Sequence, residues 1–252
     1  MNQKLQYIDW GLMDYKEAWD RQKLLFDEMV EQKKQSIMQA DVSTTLRSAR
    51  HDGDMNAPPL QQHFIVCEHP HVYTLGKNGQ RNNLLINDEF LKKINASYYH
   101  IERGGDITYH GPGQLVGYPI LDLEQCKLSL KKYIFCLEEA IIRTLLDYQI
   151  ESSRMDGATG VWLDVNGKNP RKISAIGVRA SRNVTMHGFA LNVNTDLSYF
   201  SHINPCGFTD KGVTSLSKEL TLLKASPMEK PIDMNDVKQR IFGYFQELLI
   251  KG

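Results

Sequence analysis

The sequence predicts an α+β fold in which a mixed β-sheet is flanked by helices. Short apolar runs typical of strands outnumber the helical segments, and the two kinds do not alternate regularly along the chain. The chain has 252 residues, of which 41% are hydrophobic and 24% are charged. This composition is ordinary for a globular domain and sufficient for a substantial core. We therefore expect a single domain over residues 1–252.

Three segments have the composition or periodicity of helices. Residues Asp14–Ala40 are rich in helix formers, and Asp233–Ile250 carries apolar residues at helical spacing. The strongest pattern begins at Ser129, a favourable N-cap, and continues to Tyr148. Between the first helix and the first strand, residues 41–62 are mostly small or polar, and we expect a flexible insertion there.

The predicted strands fall into two groups. Three successive strands are expected between Gly157 and Val193, and the earlier ones are His63–His69, Val72–Gly76, Ser97–Glu102 and Gln114–Leu123. Gly117 and Pro119 interrupt the last of these runs. Because proline cannot donate to a ladder, we expect this strand to be bulged or to lie at a sheet edge.

Charge and hydropathy exclude some classes of partner. The formal net charge is +0, so no global field attracts nucleic acid or a membrane surface. No segment approaches the roughly 18 apolar residues of a membrane span. Asp9 and Asp14 lie where a signal peptide would be apolar. We therefore expect a cytoplasmic protein with neither a nucleic-acid nor a membrane partner.

The densest chemical signal is the segment from Glu102 to Pro119. Four glycines fall within ten residues of this segment, and arginine, threonine, histidine and glutamine side chains lie among them. Two tight turns between strands would explain glycines alone. The interleaved hydrogen-bonding side chains favour a ligand-binding loop, although the pattern matches neither a phosphate loop nor a dinucleotide fingerprint.

Among the four cysteines, Cys206 is the best candidate for a nucleophile. It lies between proline and glycine in a polar turn, whereas Cys67 and Cys136 have the apolar neighbours of core cysteines. Cys126 lies in a charged stretch without an obvious role. Lys172 lies at the start of a predicted strand. A lysine ammonium group close to a cysteine stabilises the thiolate and lowers the pKa of the thiol. A solvated surface lysine is the simpler interpretation.

Histidines raise the question of a metal site. His69 and His71 are separated by a single proline, with His63 and His110 elsewhere in the chain. No acidic or cysteine ligand pattern completes a recognisable site, so we expect hydrogen-bonding roles and no metal.

Several motifs together resemble the lipoate-biosynthesis octanoyltransferase family. These are EHPHVYTLGKNG, RGGDITYHGPGQLVGYPILDL, KISAIGVR, HGFALNV and INPCG, which occur in this order between Glu68 and Leu216. None of the motifs would suffice alone. The resemblance implies the catalytic fold shared by lipoate and biotin protein ligases.

The resemblance also implies an activity and a site. Family members move an octanoyl group from acyl carrier protein to a cysteine, which matches Cys206, assisted by the lysine that matches Lys172. The acceptors are lysine amines on lipoyl domains of 2-oxoacid dehydrogenases and on the glycine-cleavage H protein. By the same resemblance, the acyl-substrate site consists of Arg103, Gly104, Gly105, Asp106, Ile107, Thr108, Tyr109, His110, Ala175, Ile176, Gly177, Gly188, Phe189 and Ala190.

The chemistry agrees with these assignments. A thioester donor exchanges with a thiol at little energetic cost, so no cofactor is expected. The protein partners of the family are acidic, and a positive surface around Lys172 would attract them. The candidates for this positive surface are Lys168, Arg171, Arg179 and Arg182. Their presence is equally consistent with ordinary exposed surface charges.

The sequence departs from the family in three places, and three other functions stay open. His71 stands where proline is common, Asp106 lies at a variable position, and the segment 41–62 is long. One alternative is an octanoyl amidotransferase acting between lipoyl-type proteins. The others are an ATP-dependent lipoate or biotin ligase and a catalytically silent binder of lipoyl domains.

Overall fold

The computed structural model describes residues 5–46, 60–204, 211–224, 226 and 229–251. Short 3-10 helices occur at Arg81–Asn83 and Leu197–His202. The other elements, in chain order, are β1 (Gln6–Leu12), α1 (Tyr15–Leu46), β2 (His63–Glu68), β3 (Val72–Leu75), α2 (Asp88–Lys93), β4 (Ser97–His100), β5 (Ile107–His110), β6 (Gln114–Ile120), α3 (Leu130–Asp147), β7 (Val161–Leu163), β8 (Arg171–Ser181), β9 (Val184–Asn192), β10 (Gly212–Val213), α4 (Leu216–Lys224) and α5 (Met234–Lys251).

Two sheets organise these strands. The larger sheet has the order β1-β2-β6-β9-β8-β10, with β7 paired to β8. Its β1–β2 and β8–β10 pairs are parallel and its other pairs are antiparallel. The smaller sheet has the order β4-β3-β5, with one parallel and one antiparallel pair. The prediction of a mixed sheet flanked by helices is confirmed.

Helices cover both faces of the larger sheet. On one face α3 and α5 bury Tyr133, Leu137 and Phe245 against the sheet. On the other face α1 buries Phe26 and Met29 in a separate cluster. The predicted N-cap of α3 is confirmed, because the Ser129 side chain accepts a hydrogen bond from the Lys132 backbone N–H.

The prediction that Gln114–Leu123 forms an edge or bulged strand is wrong in its placement. Strand β6 lies between β2 and β9 and is buried throughout. Its ladder with β9 ends at Gly117, before Pro119, so the missing N–H interrupts no pair with β9, and Pro119 lies opposite Phe64 in the ladder with β2. The Pro119 ring lies where a side chain on Gly188 would point, and the Thr185 hydroxyl donates to the Pro119 carbonyl.

The N-terminal region also differs from expectation. Helix α1 continues six residues into the predicted insertion 41–62, and strand β1 had not been anticipated. Residues 47–59 lie outside the described residues. At the end of the segment, the Leu60 backbone N–H and the Gln62 side chain both donate to Gln125, so these residues are attached to the domain.

No helix in these described ranges combines the length and the apolar character that crossing a bilayer would require.

Candidate active site

A cavity of about 430 Å³ lies between the larger sheet and the segment that carries the glycine-rich motif. It brings together Lys172 and all the residues predicted to bind the acyl substrate, with the exception of Tyr109. Strands β5, β8 and β9 supply most of these residues, and β6 and the start of α1 complete the walls. Residues far apart in the chain therefore meet at one site.

Small residues on paired strands form the floor of this cavity. Ala175 pairs with Ala190, and Gly177 pairs with Gly188, in the β8–β9 ladder. The Gly104 backbone N–H donates to the Val178 carbonyl over 3.0 Å, which draws the glycine-rich segment across β8. A Cβ atom on Gly177 would lie 3.0 Å from the Gly104 carbonyl oxygen, so glycine permits this close approach.

Arg103 is buried in the wall of the cavity. Its Nη2 donates to the Thr74 carbonyl over 2.7 Å and to the Thr74 hydroxyl over 3.0 Å. Its Nη1 donates to the Gly104 carbonyl over 3.0 Å. These bonds fix a positive charge beside the small-residue floor.

A pair of amides fixes the tautomer of His110. The Gln114 amide nitrogen donates to the Tyr109 carbonyl and to Asn192 Oδ1, so Gln114 Oε1 is an acceptor. His110 Nδ1, 2.8 Å away from that oxygen, therefore carries the proton. Burial lowers the pKa of His110 to about 3, helped by the neighbouring His69, so the ring is neutral at pH 7.

Tyr109 is directed away from the cavity. Its hydroxyl lies 2.7 Å from His71 Nδ1, and its ring stacks on Tyr199 at a centroid distance of 5.0 Å. Phe200, a neighbour of Tyr199 in the 3-10 helix Leu197–His202, does line the cavity. The contacts of Tyr109 therefore attach this helix to the smaller sheet.

Lys172 lies at one end of the cavity. Its Nζ donates to the Thr159 carbonyl over 3.2 Å and lies 4.6 Å from the centroid of the Trp162 ring. Lys172 pairs with Val213 of β10, which also lines the cavity. The predicted nucleophile Cys206 lies outside the described residues. The nearest described residue before it, Asn204, is hydrogen-bonded to the Asn83 carbonyl.

The other three cysteines are poor nucleophiles. Cys67 and Cys136 are buried, as predicted, and Cys126 is half-buried. Burial raises the pKa of all three thiols, that of Cys126 to about 11. None of them is therefore a thiolate at neutral pH.

The predicted positive surface is only partly available. Arg171 forms two 2.7 Å contacts with Glu219, and Arg179 is paired with Glu102. Lys168 and Arg182 are exposed. Half of the predicted cluster therefore already neutralises carboxylates of this chain.

Histidines serve as hydrogen-bonding groups. His69 Nδ1 donates to the Met13 carbonyl, and its Nε2 accepts from the Tyr118 hydroxyl over 2.6 Å. Within the described parts of the chain, no group of three histidine, cysteine or acidic side chains is placed to hold a metal ion.

Five buried side chains that can form hydrogen bonds also line the cavity and were not among the predicted site residues. Gln114, Tyr118, His187 and Asn192 lie in or beside the motifs described above, and their burial could have suggested a role. Tyr15 comes from the start of α1, and nothing in its local sequence distinguishes it from a surface tyrosine.

Curated proteins of known function are similar to this chain over nearly its whole length. A curated octanoyltransferase of Bacteroides thetaiotaomicron is 51% identical over 238 residues, which are 94% of this chain and 92% of the relative. One from Christiangramia forsetii is 49% identical over 248 residues, 98% of this chain and 97% of the relative.

Solved structures show the same fold. Lipoate-protein ligase A with bound ATP superposes with a TM-score of 0.60 at 15% identity, covering 99% of this chain and 86% of the ligase. A bi-partite lipoate protein ligase from Thermoplasma acidophilum gives a TM-score of 0.58 at 15% identity, with coverages of 98% and 85%.

Fold and cavity together define a catalytic module of the lipoate-ligase type. Residues 14–246 match the family described as the lipoyl protein ligase A/B catalytic domain. The chain belongs to this family. Because its curated relatives are octanoyltransferases at about half sequence identity over nearly their whole length, the protein is an acyltransferase.

Proposed function

We propose that this protein transfers an octanoyl group from octanoyl-acyl carrier protein to lysine amines of lipoyl domains, through a thioester on Cys206. The acceptors are the lipoyl domains of 2-oxoacid dehydrogenases and the glycine-cleavage H protein, and the compartment is the cytoplasm. The observation that carries the proposal is the 51% identity to an octanoyltransferase over 94% of this chain.

The lining of the cavity supports the proposal that an acyl chain binds there. Its floor of alanine and glycine offers apolar surface without side chains that would block an alkyl chain. Lys172 lines the cavity, and its ammonium group there could stabilise the thiolate of the proposed reaction. The described chain resumes after Cys206 at Lys211, and the next two residues pair with Arg171 and Lys172. Cys206 is therefore only a few residues from a strand that borders the cavity.

The proposed reaction has two acyl transfers. The Cys206 thiolate attacks the carbonyl carbon of the donor thioester, and the thiolate of the carrier protein leaves with the electron pair of its carbon–sulfur bond. The acceptor amine then attacks the new thioester, the Cys206 sulfur leaves, and the amine loses one proton as the amide forms. Lys172 stabilises the thiolate and exchanges the proton. No oxidant, metal or nucleotide enters this balance.

Mass spectrometry of the intact protein tests the first transfer. Incubation with octanoyl-carrier protein, without ATP, should add one octanoyl group that hydroxylamine removes, because a thioester is labile to this nucleophile. Cys206→Ser should prevent the adduct. Cys126→Ser is the matched control, since Cys126 is the described cysteine that is not fully buried, and this variant should retain the adduct.

Other results would select an alternative. Acylation of the lipoyl domain that depends on ATP and free octanoate would favour a ligase. A stable adduct from an octanoylated lipoyl-type protein, with none from carrier protein, would favour an amidotransferase. A Cys206→Ser variant with full activity would exclude the proposed intermediate.

A further inference from the structure

A buried carboxylate on α4 connects three elements beside Lys172. Glu219 is only 5% exposed, and each of its oxygens accepts a 2.7 Å hydrogen bond from the Arg171 guanidinium group. Its Oε1 also accepts from the hydroxyl group of Thr214, a residue that is fully buried. Neither Glu219 nor Thr214 lines the cavity. Both oxygens of a carboxylate outside the cavity are therefore used to join α4 to β8 and to the end of β10.

Thr214 continues these contacts to the backbone of Lys172. The Thr214 N–H donates to the Lys172 carbonyl over 3.0 Å, one residue beyond the pairing of Val213 with Lys172. Arg171 is the residue before Lys172 in β8. Glu219 therefore holds the side chain next to Lys172 directly, and it holds the strand paired with Lys172 through Thr214.

Further hydrogen bonds lead from Thr214 to the glycine-rich motif. The Asn192 amide nitrogen donates to the Thr214 carbonyl over 3.0 Å, and Asn192 Oδ1 accepts from Gln114 over 2.8 Å. Gln114 Oε1 accepts in turn from His110. Asn192, Gln114 and His110 are each no more than 7% exposed. Because a buried network with satisfied partners is rigid, a change at Glu219 should be felt at the cavity.

The carboxyl group of Glu219 is ionised at neutral pH. Burial alone would raise its pKa, but the hydrogen bonds from Arg171 and Thr214 lower the pKa below its usual value. The two parallel bonds between a guanidinium group and a carboxylate have a fixed planar geometry. They therefore restrict Arg171, and with it the start of β8, more than one contact to a neutral acceptor would.

We propose that Glu219 and Thr214 are positioning residues that fix Lys172 at its place beside the cavity. The proposal rests on the proposed function for the role of Lys172 in stabilising the Cys206 thiolate. A charge stabilises an anion effectively only from a short and fixed distance in a preorganised site. Glu219 provides this order by holding β8 and β10 together at Lys172, and it does not itself contact the substrate.

Fluorine NMR tests the position of Lys172 without any acyl chemistry. Lys172 Nζ lies 4.6 Å from the centroid of the Trp162 ring, and the full-length protein has three tryptophans, so labelling with 5-fluorotryptophan gives three resonances. Trp162→Phe assigns the Trp162 resonance, and Lys172→Met gives its position without the ammonium group. Glu219→Gln and Thr214→Val should both move this resonance toward the Lys172→Met value. Thr214→Ser, which keeps the hydroxyl group, should stay close to wild type.

Alkylation of Cys206 by iodoacetamide at two pH values supplies the second readout. Glu219→Gln and Thr214→Val should slow alkylation at pH 7 by about threefold or more, because less of the thiol is ionised. At pH 10 the rates should equal that of wild type, since the thiol is then ionised in all variants, whereas restricted access to Cys206 would slow both rates. Asp122→Asn is the matched control, because it removes another buried carboxylate that is paired with a cation but lies outside the cavity. It should leave the resonance and both rates unchanged.

The outcomes separate the positioning role from the proposed function. Thermal melting identifies a variant that fails to fold, and Thr214→Val, which keeps the Arg171–Glu219 pair, decides if Glu219→Gln does so. An unmoved Trp162 resonance with an unchanged rate at pH 7 would overturn the positioning role, even in a protein whose wild type forms the acyl adduct. The expected movement of the resonance, in a protein whose wild type forms no adduct, would support the positioning role and contradict the proposed transfer.

Discussion

Lys172 has the contacts expected of a charged ammonium group at the end of an apolar cavity. It donates to a backbone carbonyl and lies over the Trp162 ring, and a ring face attracts a cation. Gly160 also lies close to this side chain, because a Cβ atom there would be 3.6 Å from Lys172 Cε. The lysine is therefore held in place by its surroundings, as a group that stabilises an anion must be.

The proposed role of Lys172 predicts slower thiol chemistry when its charge is removed. Lys172→Met should lower the rate of Cys206 alkylation by iodoacetamide at pH 7 by about tenfold, which corresponds to a thiol pKa higher by about one unit. The rate is measured by mass spectrometry of the Cys206 peptide. Lys168→Met, at an exposed lysine four residues earlier, is the control and should leave the rate unchanged. Equal alkylation rates in Lys172→Met and wild type would show that Lys172 does not activate the thiol.

Individual residues differ in how well sequence identifies their roles. Cys67 and Cys136 were predicted to be buried from their apolar neighbours, and this is confirmed. Tyr15 could not be recognised, because its role comes from stacking on Tyr99 and His110, which are distant in the chain. Local sequence patterns predict burial well. They predict which residues line a cavity only when those residues belong to a recognisable motif.

Helix α1 is attached to the larger sheet by one nearly buried ion pair. Lys33 Nζ lies 2.7 Å from Asp122 Oδ1 and 2.7 Å from Glu124, and Asp122 is only 2% exposed. The carboxylate of Asp122 also caps the turn at the Glu124 N–H, so its charge is used twice.

Breaking this ion pair should be costly. Lys33→Ala should lower the free energy of unfolding by about 3 kcal/mol, because Asp122 would remain buried without its cation. Lys23→Ala, which breaks the exposed Lys23–Asp27 pair on the same helix, should cost less than about 1 kcal/mol. Urea denaturation of both variants measures the difference. Similar values for the two variants would show that the buried pair does not attach α1 to the sheet.

Strand β6 shows where sequence patterns fail at the scale of elements. Glycine and proline within an apolar run usually mark an edge, and here they occupy the centre of the sheet. Gly117 is required because a side chain there would collide with the Phe189 ring. Pro119 is tolerated because the ladder with β9 has already ended. Both reasons depend on where β9 lies beside β6, about seventy residues away in the chain, and no local pattern contains them.

The molecule as a whole contains a group of buried neutral histidines. Burial lowers the pKa of His69 to about 4 and those of His110 and His187 to about 3. An unfolded histidine has a pKa of about 6.5, so the unfolded chain binds more protons than the folded one below that pH. Stability contributed by these groups is complete above about pH 6.5 and falls as the pH drops toward 4.

Acid should therefore destabilise the protein well before its carboxylates titrate. Each of the three histidines contributes up to about 1.4 kcal/mol of lost stability per pH unit between pH 6 and 4. Urea unfolding at pH 7.5, 5.5 and 4.5 measures the slope. His110→Gln should reduce the slope by about one third, and His100→Gln, at an exposed position, should not. A stability that is constant down to pH 4.5 would contradict these buried neutral states.

The central position of β6 also governs when the chain can fold during its synthesis. Its two neighbours are β2, about fifty residues earlier, and β9, about seventy residues later. The middle of the sheet is therefore incomplete until roughly the first 190 residues have left the ribosome. Because such distant pairings are slow to close, refolding from denaturant should be slow for a domain of this size. Until then the edge of β6 that pairs with β9 has no partner, and an unpaired apolar strand edge favours aggregation.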